Sequence, residues 1–212
     1  MLNEVNKLSE FSFDDVNDLQ FDVLKEIGNI GAGNATTALS QLLNSKIDMK
    51  VPNVQLLGLQ ELPDMIGGAE NLIVGILFTL DGDTDGMMMF MLEKESAHHI
   101  INILLQKDLN CFEDFSEMDL SALNEIGNII AGAYLSSIST LTNLTILPSV
   151  PYMAIDMAGA ILSVPAIEFG KIGDKALVIK TQISENDIEV NGYFVLIPTI
   201  DSYTRIMSSL GL

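Results

Sequence analysis

The chain has 212 residues, 48% of them hydrophobic, enough to bury a core that folds unaided. Its 29 acidic residues outnumber 10 basic ones for a formal charge of -19, and Arg205 is the only arginine. That balance excludes a phosphate-backbone binder, whose affinity rests on clustered Lys and Arg, and it repels anionic membranes. It suits a basic or metal-bearing protein partner, and equally it keeps a hydrophobic chain soluble.

Cys111 is the only cysteine, so no internal disulfide can form and a reducing cytoplasm is the natural compartment. The opening MLNEVNKLSE lacks the basic and apolar regions of an export signal. The longest apolar run, Leu72 to Leu80, falls far short of the ~20 residues of a membrane helix. We therefore expect a cytoplasmic protein with neither membrane nor nucleic acid as partner.

In chain order, a long helix should begin after Asn17, with Gln20 placed three residues on to reach back to the cap. It leads to Pro52. Strands are expected near Val54–Leu59, Leu72–Leu80 and Met87–Leu92, then a helix near Lys94–Gln106. Ser116 with Asp119 repeats the cap, and a second long helix leads to Pro151. Strands near Tyr152–Asp156, Ala176–Ile183 and Tyr193–Pro198 follow, then a helix near Ser202–Leu210.

Three local signals are weaker than they look. DGDTDG (81–86) imitates a calcium loop, but its twelfth position is Leu92 and its flanks are strands, so a tight hairpin turn is expected. His98 and His99 diverge by 100° on a helix and cannot chelate one metal together, which suggests surface residues. Met87, Met88, Met89 and Met91 form a continuous apolar run, the mark of a buried strand.

Aligning residues 22–52 with 121–151 without a gap gives 14 identities in 31 positions, at a constant offset of 99 (121 minus 22). Such an internal repeat governs the whole fold. The hairpin glycines Gly86 and Gly192 lie 34 residues after Pro52 and 41 after Pro151, so the second unit carries about seven extra residues. The segment 156–170 is where they are expected. The fold class is α/β: a single pseudo-twofold domain over 1–212, with repeat one about 12–111 and repeat two about 112–212. One central sheet should be flanked by two long motif-bearing helices and two shorter helices.

At 100° per residue, Asp22, Glu26, Asn29, Gly33 and Ser40 share one face of the first long helix, with Leu24, Ile27, Gly31, Ala38 and Leu42 opposite. The second helix repeats this. Ser121, Glu125, Asn128, Gly132 and Ser139 are polar, and Leu123, Ile126, Ile130, Ser137 and Leu141 lie opposite. Glu and Asn three residues apart stand side by side. Any amphipathic helix has a polar face, but mid-helix Asn and Gly are costly, and both recur in the second copy. Gly33 and Gly132 leave a bare strip for close approach, whereas Gly28, Gly31 and Gly127 suit tight helix packing. GNIGAG is not a nucleotide loop, since its spacing is GxxGxG and the second copy has Ile130 for Gly31.

The spacing Asp22, Glu26, Asn29, Pro52 and again Ser121, Glu125, Asn128, Pro151, with AIDMAGAIL at 154–162, resembles the CheC family of chemotaxis phosphatases, related to CheX and FliY. Two intact copies are most like its two-site members. The resemblance implies hydrolysis of the aspartyl phosphate on the response regulator CheY. It assigns Asn29 and Asn128 to orienting the attacking water, and Glu26 and Glu125 to engaging a lysine of CheY. It implies no cofactor or metal on this chain, with Mg²⁺ carried by the phosphorylated partner. Asp22, Gly33, Ser121 and Gly132 would border the partner, and CheD would contact the segment after Pro151 at Asp156. A non-catalytic adaptor that sequesters CheY or CheD is the alternative.

Overall fold

The computed structural model describes residues 17–108, 112–169, 175–185 and 188–212. Cys111, the opening MLNEVNKLSE and the end of the 156–170 segment lie outside them. The first half runs α1 (Asp18–Leu43), β1 (Asp48–Gly58), α2 (Leu62–Met65), β2 (Leu72–Gly82), β3 (Gly86–Glu93) and α3 (Lys94–Leu104). The second half repeats that order as α4 (Glu117–Thr142), β4 (Ile146–Pro148) with β5 (Tyr152–Met157), α5 (Ala158–Phe169), β6 (Lys175–Glu185), β7 (Ile188–Pro198) and α6 (Ile200–Ser209).

All the strands join one antiparallel sheet in the order β1-β6-β7-β3-β2, with β4 and β5 both paired to the far side of β2. Exchanging β1 with β4 and β5, β2 with β6, and β3 with β7 maps this order onto itself. The axis of that exchange passes between β3 and β7, perpendicular to the sheet. Each expected strand is present, and β4 is an addition. The extra length of the second half falls at α5, which has twelve residues where α2 has four.

β3 is apolar from Met87 to Leu92 because both faces of the sheet are covered, and alternate residues serve different layers. Met88, Phe90 and Leu92 meet α1, α3, α4 and α6 on one face. Met87, Met89 and Met91 meet α2 and α5 on the other. Each such burial contributes about 1.5–3 kcal/mol. The four helices of the first face are those expected. α2 and α5 are additional, and α5 carries Pro165 within it.

α1 and α4 run antiparallel. Leu24 and Ile27 meet Ile138 around one small core cavity, while Leu39 and Leu43 meet Ile126 around another. Between these points a Cβ on Gly31 would fall 2.5 Å from the Tyr134 ring, which fills the room that glycine leaves. Tyr134 stacks on Phe194 at 4.3 Å and its hydroxyl shares a 3.1 Å hydrogen bond with Thr181. Burial pushes its pKa up to about 12, against a smaller opposing effect of that hydrogen bond. Gly127 is equally tight, 2.6 Å from Ile76 at its would-be Cβ, whereas Gly28 has ordinary room at 3.5 Å.

Both expected caps form. Asn17 accepts from the Gln20 backbone N–H at 3.0 Å and Gln20 accepts from that of Asn17 at 3.1 Å. Ser116 and Asp119 repeat the exchange at 3.3 and 2.9 Å. Each helix then ends on an asparagine in the left-handed region, Asn44 at φ 47° and Asn143 at φ 56°.

Two expectations need correction, and a third is met with an addition. His98 is buried, not superficial: the loop before α4 folds over it, with Phe115 stacked at 4.0 Å and Phe112 edge-on at 5.6 Å. Burial first, and then the nearby Lys94, lower its pKa. Leu42 and Leu141 are exposed and Ala38 half-buried, because the buried stripe drifts around the helix to Ala32, Ala35 and Leu39. DGDTDG is the hairpin turn expected, and it is anchored: the Asp83 carboxylate accepts from Thr145 and its carbonyl accepts from Arg205.

Candidate active site

Leu24, Ile27, Gly28, Gly31, Ala32, Ala35 and Leu39 bury one side of α1, and that commitment turns Asp22, Glu26, Asn29 and Gly33 outward. In α4 the line Leu123, Ile126, Gly127, Ile130, Ala131 and Tyr134 turns Ser121, Glu125, Asn128 and Gly132 outward. All eight are exposed. Nothing lies within 4 Å of a Cβ built on Gly33 or Gly132, so open surface adjoins each Asn one turn on. Ser40 departs from the face: half-buried, its hydroxyl accepts from the Ile47 N–H at 3.1 Å and helps close the turn into β1.

The fold also explains the distant prolines. Pro52 is exposed at the register break between Lys50 and Asn53 of β1. Its neighbour Val51 lies 3.7 Å from the would-be Cβ of Gly28, which sets Pro52 beside the Glu26–Asn29 turn. Pro151 precedes β5, the strand paired to β2, whose Ile76 packs on Gly127. α1 thus packs on the strand that contains Pro52, whereas α4 packs on β2, the neighbour of the strand that follows Pro151.

The antiparallel crossing, marked by Gly31 against Tyr134 and by Asn34 donating to Ser137 at 3.1 Å, separates the two Glu–Asn pairs. On the register that sets Gly31 against Tyr134, the two pairs lie about 11 residues, or about 16 Å, apart along the helix direction. They differ at the edge. Lys25 is exposed, whereas its counterpart Asn124 is half-buried with an Oδ1 that has no hydrogen-bond partner among the described residues.

Asp156 is not brought to either pair. It is exposed at the end of edge strand β5, where its Oδ1 accepts from the Met157 N–H at 2.7 Å. Beyond it α5 covers the opposite face of the sheet. An open groove lies elsewhere, between Asn71, Glu93, Lys94 and Phe112. Each Glu–Asn pair therefore stands on an outward helix face and not in that groove. The described helices include none long and apolar enough to cross a membrane.

Two residues on these faces escape a search for polar motifs. Leu19 and Met118, again 99 apart, are 60% and 67% exposed in the first turn of each helix. Their signal was available as a matched apolar pair just upstream of the gap-free block.

Residues 19–56 and 118–153, α1 with most of β1 and α4 through β4 to the start of β5, match the model of the CheC-like family. Over 203 residues the chain is 38% identical to the CheY-P phosphatase CheC of Bacillus subtilis, covering 94% of this chain and 97% of that one. Among solved structures, Thermotoga maritima FliY has a TM-score of 0.75 at 21% identity, covering 93% of this chain and 98% of that one. The FliM middle domain of Helicobacter pylori has a TM-score of 0.69 at 14% identity, covering 92% and 99%. These two likenesses concern the fold. This chain belongs to the CheC-like family.

Proposed function

We propose that this protein is an aspartyl-phosphate phosphatase that hydrolyses phosphorylated CheY in bacterial chemotaxis and acts in the cytoplasm. The carrying observation is the exposed Glu–Asn pair, repeated on two helices beside open glycine surface, in a chain 38% identical to a relative named CheY-P phosphatase. In the proposed reaction, water attacks phosphorus in line as the bond to the aspartate oxygen breaks, leaving inorganic phosphate and a free carboxylate. Asn29 or Asn128 orients that water, since an amide can both donate and accept without gaining charge. Glu26 or Glu125 holds a lysine of CheY.

Phosphoryl transfer asks for positioning and charge stabilisation more than for covalent chemistry. This acidic chain supplies the first, and the partner's own Mg²⁺ and lysine supply most of the second. Asp22, Gly33, Ser121 and Gly132 border the docked partner. The two sites arose by duplication of a unit corresponding to about 12–111 and 112–212. CheD is proposed to contact Asp156 and α5, where Ile155, Met157 and Val164 are exposed.

The test is decay of phospho-CheY with catalytic amounts of the protein. Asn29→Ala or Asn128→Ala alone should leave partial activity, and the double change should cost on the order of 10²-fold or more. An undiminished double variant would remove the amides from the chemistry. Decay at the intrinsic rate with the unaltered protein would leave the adaptor that binds CheY or CheD by sequestration.

A further inference from the structure

We infer that Leu19 and Met118 are substrate-recognition residues, each anchoring the phosphorylated protein partner at the site on its own helix. The inference rests on the proposed function. Leu19 precedes Asp22 by three residues and Glu26 by seven, and Met118 stands in the same relation to Ser121 and Glu125. Those spacings place each apolar side chain on the outward face of its Glu–Asn pair.

Both side chains are largely in water, at 60% and 67% exposure, where a large apolar group gains nothing from the fold. Capping does not account for them. Each is the second residue of its helix, whereas a hydrophobic staple joins the residue before the cap to the fourth helical one. The cap bonds themselves are made by Asn17 with Gln20 and by Ser116 with Asp119. An isolated exposed leucine carries no message, but the same feature at matched positions beside both pairs does.

The reach is suitable. Leu19 lies ten residues before Asn29, about 15 Å along the axis. A standard protein interface of about 800 Å² a side is wide enough to include both. Interfaces of this kind need a desolvated apolar contact among their polar groups, and the polar motif provides none. The partner surface that fits is an apolar hollow beside the phosphorylated aspartate.

Single-site variants test the idea. In an Asn128→Ala background, which retains only the first site, Leu19→Ser should raise KM for phospho-CheY about fivefold or more with little change in kcat. In an Asn29→Ala background it should change neither, and Met118→Ser should give the mirror result. The thermal midpoint should hold, because the substituted side chains are exposed. A fall confined to kcat, equal effects in both backgrounds, or no effect would overturn the inference. Separately, binding of CheY carrying the acyl-phosphate mimic beryllofluoride should weaken at least tenfold in the Leu19→Ser, Met118→Ser double variant. Unchanged binding would overturn the inference, while absent hydrolysis by the unaltered protein would instead sink the phosphatase reading.

Discussion

α1 and α4 present the same outward face but unlike inward ones. Outside, Glu26 with Asn29 and Gly33 matches Glu125 with Asn128 and Gly132, all exposed. Inside, Gly31 and Ala35 stand where the second helix has Ile130 and Tyr134, and each is buried. The two outward faces match although neither is packed against the rest of the fold. The interiors instead differ in a complementary way, a ring on one helix matched to a missing side chain on the other.

The strongest challenge to that comparison is Gly31→Ala. The new methyl would meet the Tyr134 ring, itself held by Phe194 and Thr181, so a loss of about 1–3 kcal/mol is expected in denaturant unfolding. A cost within experimental error would show that the ring can move aside.

Gly33→Ala and Gly132→Ala probe the outward face and should have the opposite sign. Each new methyl meets nothing within 4 Å, so helix propensity should raise stability by up to about 1 kcal/mol per site. Phosphatase activity should nonetheless fall if a partner approaches this strip. Stabilised variants with full activity would break the link between the bare strip and docking.

The smallest effect separates the helix starts. The α1 box, Asn17 with Gln20, is neutral, but that of α4 includes Asp119, which also bonds Lys107. Burial opposes the charged form of Asp119, yet hydrogen bonds from Lys107 and Ser116 outweigh it and hold its pKa below the ordinary 3.8. The stability this carboxylate adds is therefore present above about pH 4 and is lost as pH falls through the lowered value. Asp119→Asn should flatten the acid limb of thermal midpoint against pH, with an effect of about 1 kcal/mol. Identical acid limbs would show that Asp119 contributes nothing to that limb.

What was legible in the sequence was local or repeated. The caps Asn17–Gln20 and Ser116–Asp119 could be read because their partners are three residues apart. β3 could be read because an apolar run between turn signals is short enough to be a strand. The burial of His98 could not, since its cover comes from Phe112 and Phe115 across a loop. α5 was obscured by an almost wholly apolar segment with Pro165 inside it, and by a counterpart, α2, of a single turn. The outward Glu–Asn pairs were found by the repeat, whereas Leu19 and Met118 fell just outside its aligned block.

The exchange between Gly31 and Tyr134 bears on how the two halves can be used. The twofold relation that sets Gly31 against Tyr134 also sets Ala35 against Ile130. A pair of first halves would place Gly31 against Ala35 and leave a hole at the crossing. A pair of second halves would drive Ile130 into Tyr134. Each half is therefore a lock for the other and a misfit for itself, so the covalent link joins two pieces that are not interchangeable.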